Sequence, residues 1–350
     1  MSAWNDVLSQ VENLRAVVEA HARASREDVE QAAAILRRAG SIVYSGVGSG
    51  LNACLPAAHY LMERGIPAWT LDATEAIYGL SAGLKHSALV LNTRSGETVE
   101  LVKLAEIARR EGIPTLAVTN EPGSTVGRMA NACLPTYSRW DELVVISAYQ
   151  GMLATELLLA AQVAGQFDAM LADLRRAAEA MSGVLQEVLN QRAALVELFR
   201  EARPITLLGR GPSIAAALAG ELALEEMARR PAVAMVSGLF RQGPIEVVDR
   251  SFRALMFEGT GERARLNALL ARRLIEQGAG LAWIGPTRLE GALSISLPDL
   301  PAHALATLEA VPGYVLAHDL ALAAGIEPGS VRYIQKVITT EEGLPNAPEG

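Results

Sequence analysis

The 350-residue chain has only two cysteines, Cys54 and Cys133, in separate stretches and without CxxC spacing. That excludes a disulfide framework and a cysteine-held metal, and points to reduced core thiols in a cytoplasmic protein. Its five histidines (His21, His59, His86, His303, His318) show neither HxH nor HExxH spacing, so nothing supports a bound metal. Long apolar runs are missing too. The most apolar stretch, Met152 to Phe167, is interrupted by Glu156 and Gln162; it is too short and too polar to span a bilayer and reads as a buried helix. Met1-Ser2-Ala3-Trp4-Asn5-Asp6 lacks the basic start and apolar stretch of a signal peptide. No membrane partner is expected. Basic charge is short as well: 31 Lys and Arg against 39 Asp and Glu leave a net charge of −8. A chain without a broad positive field is a poor partner for nucleic acid, and pairs such as Arg272-Arg273 read as solvated helix faces.

What is present is enough apolar material for two cores, since half of the residues are hydrophobic. The first forty residues carry helical periodicity (Val11, Leu14, Val17, Val18). Then short apolar runs alternate with amphipathic stretches: Ile42-Val43-Tyr44, Ala68 to Leu71, Ala88 to Leu91, Leu116 to Val118 and Cys133-Leu134. This alternation predicts βαβ units and a mainly parallel sheet covered on both faces. After a helical stretch over about 150–203 the pattern restarts. Ile205 to Leu208 leads into Gly209-Arg210-Gly211 as Ile42 to Ser45 leads into Gly46-Val47-Gly48, 163 residues earlier. Thr260-Gly261-Glu262 follows Ser95-Gly96-Glu97 at 165 residues, and Gln277-Gly278-Ala279 answers Glu111-Gly112-Ile113. Landmarks kept at nearly one offset indicate tandem duplication of one α/β domain. The expected plan is an N-terminal helical segment (1–34), a first doubly wound parallel-sheet domain (35–165), a helical connector (166–202) and a second such domain with a C-terminal tail (203–350), with Pro204 at the boundary.

Three places could carry chemistry. Thr93-Arg94-Ser95-Gly96-Glu97-Thr98 lies between a strand and a helix starting near Val99. Such a turn concentrates free backbone N–H groups and the positive end of the helix dipole, while Thr93, Ser95 and Thr98 add hydroxyl donors, a set suited to a phosphate monoester. The structural alternative is a well-capped helix that binds nothing. The glycine turn Gly46-Val47-Gly48-Ser49-Gly50, with Asp72 ending the next strand, invites a dinucleotide reading. Leu51 stands where its third glycine belongs, and the second repeat lacks the pattern, so no cofactor is expected. Glu221, Glu225 and Glu226 lie on the first helix of the second repeat, where Arg229 and Arg230 offer them local ion pairs. They are candidate bases or ordinary surface carboxylates.

Together these motifs resemble the double-SIS (sugar isomerase) family, which includes the isomerase half of glucosamine-6-phosphate synthase, sugar-phosphate deaminases and fructosamine-phosphate deglycases. The resemblance covers about residues 35–343. It rests most on Ser95-Gly96-Glu97-Thr98 and the downstream Val118-Thr119-Asn120-Glu121-Pro122-Gly123-Ser124. It implies a sugar phosphate held by Gly48, Ser49, Thr93, Ser95 and Thr98 with the backbone of Arg94, and by Ser147 at the end of the stretch from Glu142. It implies Glu226 as the general base, moving a proton between adjacent carbons of an enediol. Lys336, in the tail Gln335-Lys336-Val337-Ile338-Thr339-Thr340-Glu341, would sit near the open-chain carbonyl. It further implies a homodimer in which the Arg241–Pro244 loop completes the partner's site.

Three positions depart from the family. Gln242 replaces the ring-opening histidine of His-Gly-Pro, and a carboxamide exchanges no proton near neutral pH. Ala223 stands in place of a helix lysine, and Gly50 in place of a phosphate-binding serine next to Ser49. With no nucleophilic N-terminal cysteine and no glutaminase segment in these 350 residues, glutamine-dependent amino transfer by this chain alone is not expected. The expected activity is an isomerase, deaminase or deglycase acting on a ketose or amino-sugar 6-phosphate. The alternative is a phosphosugar sensor without catalysis.

Overall fold

A computed structural model describes residues 3–24, 26–142 and 144–340. Its elements run α1 (Ala3–Arg23), α2 (Arg26–Arg37), β1 (Ser41–Gly46), α3 (Ser49–Met62), β2 (Ala68–Asp72), α4 (Ala73–Glu75), β3 (Ser87–Thr93), α5 (Val99–Glu111), β4 (Thr115–Thr119), α6 (Thr125–Met129), β5 (Ala132–Pro135), α7 (Ser147–Val163) and α8 (Phe167–Phe199). The second series is β6 (Ile205–Gly209), α9 (Ile214–Ala228), β7 (Ala232–Val236), α10 (Ser237–Phe240), β8 (Arg253–Phe257), α11 (Gly261–Glu276), β9 (Gly280–Gly285), β10 (Leu293–Ser296), α12 (Ala302–Glu309) and α13 (Val311–Ala323). The chain divides into two units. One holds the described residues of Met1–Val11 and Arg176–Ser330, the other those of Glu12–Arg175 and Val331–Gly350. The helical stretch predicted over 150–203 is two helices, α7 and α8, separated at Ala164–Gln166, where Gly165 turns with φ 71°.

Each unit contains one five-stranded, all-parallel sheet, in the orders β2-β1-β3-β4-β5 and β10-β9-β8-β6-β7. Read from each unit's first strand, the two orders are the same doubly wound order, which agrees with duplication. Every residue of β3 is buried, as expected of a strand with helices on both faces. The helices that follow the matching loops share a burial register: Leu101, Leu104, Ala105 and Ala108 in α5, and Asn267, Leu270, Ala271 and Leu274 in α11. That 3–4 spacing is one buried stripe, apolar except at Asn267. Both helices are followed by a left-handed glycine, Gly112 (φ 69°) and Gly278 (φ 89°), where a side chain would be strained.

In both sheets the order reverses between the first and third strands of the unit, β1/β3 and β6/β8. Loops leaving the carboxyl ends of those strands diverge to opposite faces and leave a crevice, the usual ligand position in an open α/β sheet. The three sequence motifs lie on strand-end loops or on the helices that follow them. Among the described residues no helix is long and apolar enough to cross a membrane.

Candidate phosphate and catalytic site

In the first unit, Thr93 ends β3 and the loop to α5 is built around Gly96, at φ 67°. A Cβ on Gly96 would lie 1.8 Å from Ser124 Oγ, so only glycine fits while the loop beginning at Asn120 packs against it. That second loop is the downstream motif of the sequence. It is stitched on by Asn120 N–H to Arg94 O (3.2 Å), Thr119 Oγ1–H to Arg94 O (3.1 Å), Val126 N–H to Gly96 O (3.1 Å) and Thr125 N–H to Glu97 Oε1 (2.8 Å). The glycine and the glutamate of Ser-Gly-Glu-Thr are therefore bracing residues.

The hydroxyls are arranged differently. Thr93 Oγ1 accepts from Gly96 N–H (3.1 Å) and Ser95 Oγ from Glu97 N–H (3.2 Å), which leaves each hydroxyl hydrogen to donate. Thr98 occupies the N-cap of α5 with extended backbone, yet its side chain makes no capping bond; its Oγ1 lies 3.4 Å from that of Thr93. The capped-helix alternative accounts for Thr93 and Ser95 in part and does not account for Thr98.

The glycine turn after β1 adjoins this loop. Asn92, one residue before Thr93, donates to Gly50 O (2.8 Å) and to Cys54 Sγ (3.3 Å), tying the start of α3 to the end of β3. Gly48 is exposed at the N-cap of α3 with φ 53°, and Ser49 is half-buried beside it. Gly50 is buried, and a Cβ there would stand 2.7 Å from Asn92 O. With the loop folded this way a serine at position 50 has no room, so Ser49 is the hydroxyl the turn can present. Asp72, the candidate ribose acid, accepts both Thr74 N–H (2.8 Å) and Thr74 Oγ1–H (2.6 Å) and serves as a cap for α4.

Ser147 begins α7 and is fully buried. Its N–H donates to Asp141 Oδ1 (2.7 Å), and the other Asp141 oxygen accepts Ile146 and Ala148 N–H at 3.2 and 2.9 Å. Asp141 thus satisfies the start of α7, while Glu142, which opens the stretch leading to Ser147, is exposed. The tail returns to the same unit. Arg94 Nη2 donates to Lys336 O (2.8 Å) and Val99 N–H to Ile338 O (3.0 Å). Arg94 and Lys336 both lie over the Trp140 ring, 5.0 and 5.6 Å from its centroid, and the indole N–H donates to Glu121 Oε1 (3.0 Å). Lys336 is exposed, and the tail reaches the phosphate-type loop. Glu341, the last residue of the tail motif, lies outside the described residues. Trp140 and Asp141 carried no signal in the sequence reading; a tryptophan beside an aspartate just upstream of a buried helix is the pattern that could have found them.

The second unit carries the three glutamates on α9. They separate cleanly. Glu221 accepts Ala234 N–H (2.9 Å), Glu225 is exposed, and Glu226 is half-buried. Arg229 and Arg230 do not pair with them: Arg229 donates to Ser330 O (2.9 Å) and Arg230 to Arg200 O. The local ion pairs expected from the sequence are therefore replaced by carbonyl contacts, because Arg229 turns the chain in the left-handed region (φ 52°) at the end of α9. Gly220 lets α9 cross α13 closely, with Gly313 against its backbone, and Ala223 is buried. Gln242 and Glu246 are both exposed; Gln242 follows α10, and Glu246 lies in a single 3₁₀ turn, Pro244–Val247.

Beneath the glycine turn of the first unit lies a polar cluster that the sequence analysis noted only as an interruption. Glu156 of α7 is fully buried, and among the described residues neither carboxylate oxygen has a hydrogen-bond partner; the Tyr44 hydroxyl is buried and likewise has none there. Burial pushes the Glu156 carboxyl far above its usual range, and burial together with Glu156 pushes up Tyr44 and the Cys54 thiol. The folded chain therefore holds a proton that the unfolded chain releases above pH 4.5. Glu156 then costs stability as pH rises above the unfolded carboxyl's range. Glu156→Gln removes the ionisation without changing shape. Thermal melts from pH 5 upward are expected to show the variant gaining on the wild type as pH rises; parallel melting curves would contradict the assignment.

Residues 35–162 of the chain match the SIS domain. The chain is 26% identical, over 328 residues, to the glutamine–fructose-6-phosphate aminotransferase (isomerizing) of Pyrobaculum aerophilum, covering 89% of this chain and 54% of that protein. The chain spans about half the length, or less, of the curated relatives it matches. Among solved structures, the C-terminal domain of the Francisella tularensis glucosamine–fructose-6-phosphate aminotransferase superposes with a TM-score of 0.82 at 17% identity, over 92% of this chain and 96% of that one. The Thermotoga maritima glucosamine-6-phosphate deaminase does so at 0.78 and 18%, over 97% and 99%. At these identities the structural likeness establishes the shared fold.

Proposed function

We propose that the chain binds a sugar phosphate through the loop Thr93–Thr98 and the turn at Gly48-Ser49, and that it interconverts or deaminates a ketose or amino-sugar 6-phosphate with Glu226 as general base. The observation that carries the reading is the Thr98 hydroxyl, which sits at a helix N-cap, makes no capping bond, and has the donor-capable hydroxyls of Thr93 and Ser95 in the same loop. A phosphate there meets hydroxyl and amide donors and the helix dipole. The relatives named above, an aminotransferase that isomerises and a deaminase, act on hexose 6-phosphates by their names and support the substrate class. Lys336 on the returning tail supplies a cation for the carbonyl end of an open-chain sugar. A homodimer in which the Arg241–Pro244 loop enters the partner's site belongs to this reading.

Gln242 favours a second reading, a sensor that binds and releases. An exposed amide cannot carry the proton that opens a sugar ring. The experiment that separates the two follows conversion of ketose and amino-sugar 6-phosphates, cyclic and acyclic, by the wild type and by Gln242→His. The enzyme reading expects turnover of acyclic substrates by both and a gain on cyclic ones with histidine. If every sugar phosphate that binds is returned unchanged, even with histidine at 242, the chain is a sensor.

A further inference from the structure

Three arginines lie on the strand-end loops and following helices of the second sheet, where the only loop assigned so far is Arg241–Pro244, read as reaching a partner chain. Arg210 follows β6. Its Nε donates to Asn267 Oδ1 (2.9 Å), and the buried Asn267 is itself held by the carbonyls of Phe257 (2.9 Å) and Glu258 (3.1 Å). This pins one edge of the guanidinium. The rest lies flat on α10: a Cβ on Gly238 would stand 2.9 Å from Arg210 Nη1, so the glycine makes the seat. Arg241 is three residues beyond Gly238, its N–H closing the same turn onto Ser237 O (3.3 Å), which puts both positions on one helical face. The Arg263 guanidinium packs against Gly211, where a Cβ would meet its Nε at 2.7 Å.

Among the described residues, Arg210 has Asn267 as its single hydrogen-bond partner, and neither Arg210 nor Arg241 forms an ion pair with a carboxylate. Burial and the neighbouring Arg241 both push the Arg210 pKa down. Three carboxylates at this end of the sheet have other partners, Glu262 pairing with Arg265. Glu258 accepts Thr287 N–H and Oγ1–H, both at 2.8 Å, and Glu309 accepts Ser213 Oγ–H (2.8 Å). Burial raises the Glu309 pKa to about 8, so at neutral pH it holds its proton and does not offset the arginines. Arg210 on its glycine seat, with Arg241 one turn along the same short helix and no carboxylate paired to either, makes a place for an oxyanion.

We infer that the second repeat carries its own phosphoryl-binding site, formed by Arg210 and Arg241 and flanked by Arg263, which takes the phosphate of a small phosphorylated metabolite. Arg210 lies on the loop that matches the Gly46–Gly50 turn of the first repeat, not the Thr93–Thr98 loop, and the site uses guanidinium groups where the first repeat offers hydroxyls. It does not depend on the Thr93–Thr98 loop binding phosphate, and it assigns Arg241 to its own chain instead of to a partner's site.

The test is a calorimetric titration of the full chain with inorganic phosphate. The wild type is expected to take two phosphates per chain. Arg210→Gln and, separately, Arg241→Gln are expected to weaken one of them about ten- to a hundredfold, the loss of a hydrogen bond to a charged group. Ser95→Ala with Thr98→Ala removes the other. Arg241 is exposed, so its variant folds even if the Arg210 variant is perturbed. One phosphate per chain, lost in the arginine variants and kept in the Ser95/Thr98 variant, supports this site and counts against the first pocket. Stoichiometry and affinity unchanged in both arginine variants overturn the inference.

Discussion

Glu226→Gln is expected to lower turnover of a bound sugar phosphate about 10²–10⁴-fold, the usual worth of a positioned general base, while leaving its binding near the wild-type value. An aldose–ketose shift takes a proton from one carbon and returns it to the next, and a carboxamide of the same shape can do neither. Of the three glutamates on α9, Glu221 is fastened to Ala234 N–H and Glu225 is exposed. Glu226 is half-buried on the same helix, so it combines shielding with access. The Glu221 carboxyl is itself raised, chiefly by burial, and it offers the natural control. Glu221→Gln is expected to affect stability through its bond to β7 and to leave turnover far closer to wild type. Turnover of Glu226→Gln equal to that of the wild type would remove this residue from the mechanism.

How much of this was legible in the sequence depends on whether the determining contacts were local. The strands were readable because their two-sided burial in a parallel sheet needs continuous apolar runs such as Ala88 to Leu91. The duplication was readable because Gly96 and Gly261, and Gly112 and Gly278, hold left-handed turns that tolerate little but glycine, which preserves the spacing. The hydroxyl loop was readable because a strand-to-helix turn is a local object. Long-range contacts were not. Asp141 takes over the start of α7, and Trp140 receives Arg94 and Lys336 from positions far away in the chain. Arg229 and Arg230 looked like partners for neighbouring glutamates because helical spacing allowed it; the left-handed turn at Arg229 sends both to carbonyl oxygens. Glu156 was visible as a polar residue in an apolar helix, but its lack of a hydrogen-bond partner among the described residues is a property of the packed interior. Gly50 is the most instructive case. By sequence it is a serine lost from a binding loop, whereas in the fold the carbonyl of Asn92 occupies the space that serine would need.

The central claim is that the Thr93–Thr98 loop holds a phosphate, and Ser95 and Thr98 are the residues on which it turns. Removing both hydroxyls is expected to cost about 1.5–3 kcal/mol for each hydrogen bond lost to the charged group, a hundredfold or more in affinity when the two losses combine. The fold has little reason to suffer. Thr98 makes no capping bond, and the Ser95 hydroxyl accepts a single N–H from the adjacent Glu97, while Gly96 and Glu97, which brace the loop, are untouched. The direct measurement is a thermal-shift series of the wild type and Ser95→Ala/Thr98→Ala against hexose and amino-hexose 6-phosphates, each beside its unphosphorylated sugar. A ligand at about a hundred times its dissociation constant stabilises by roughly 2.7 kcal/mol, which such a melt resolves readily. The account predicts that at least one 6-phosphate raises the wild-type Tm, that its unphosphorylated counterpart does not, and that the double variant melts like the wild type without ligand but loses the shift. A shift of equal size in the double variant, or one produced equally by the unphosphorylated sugar, would contradict it.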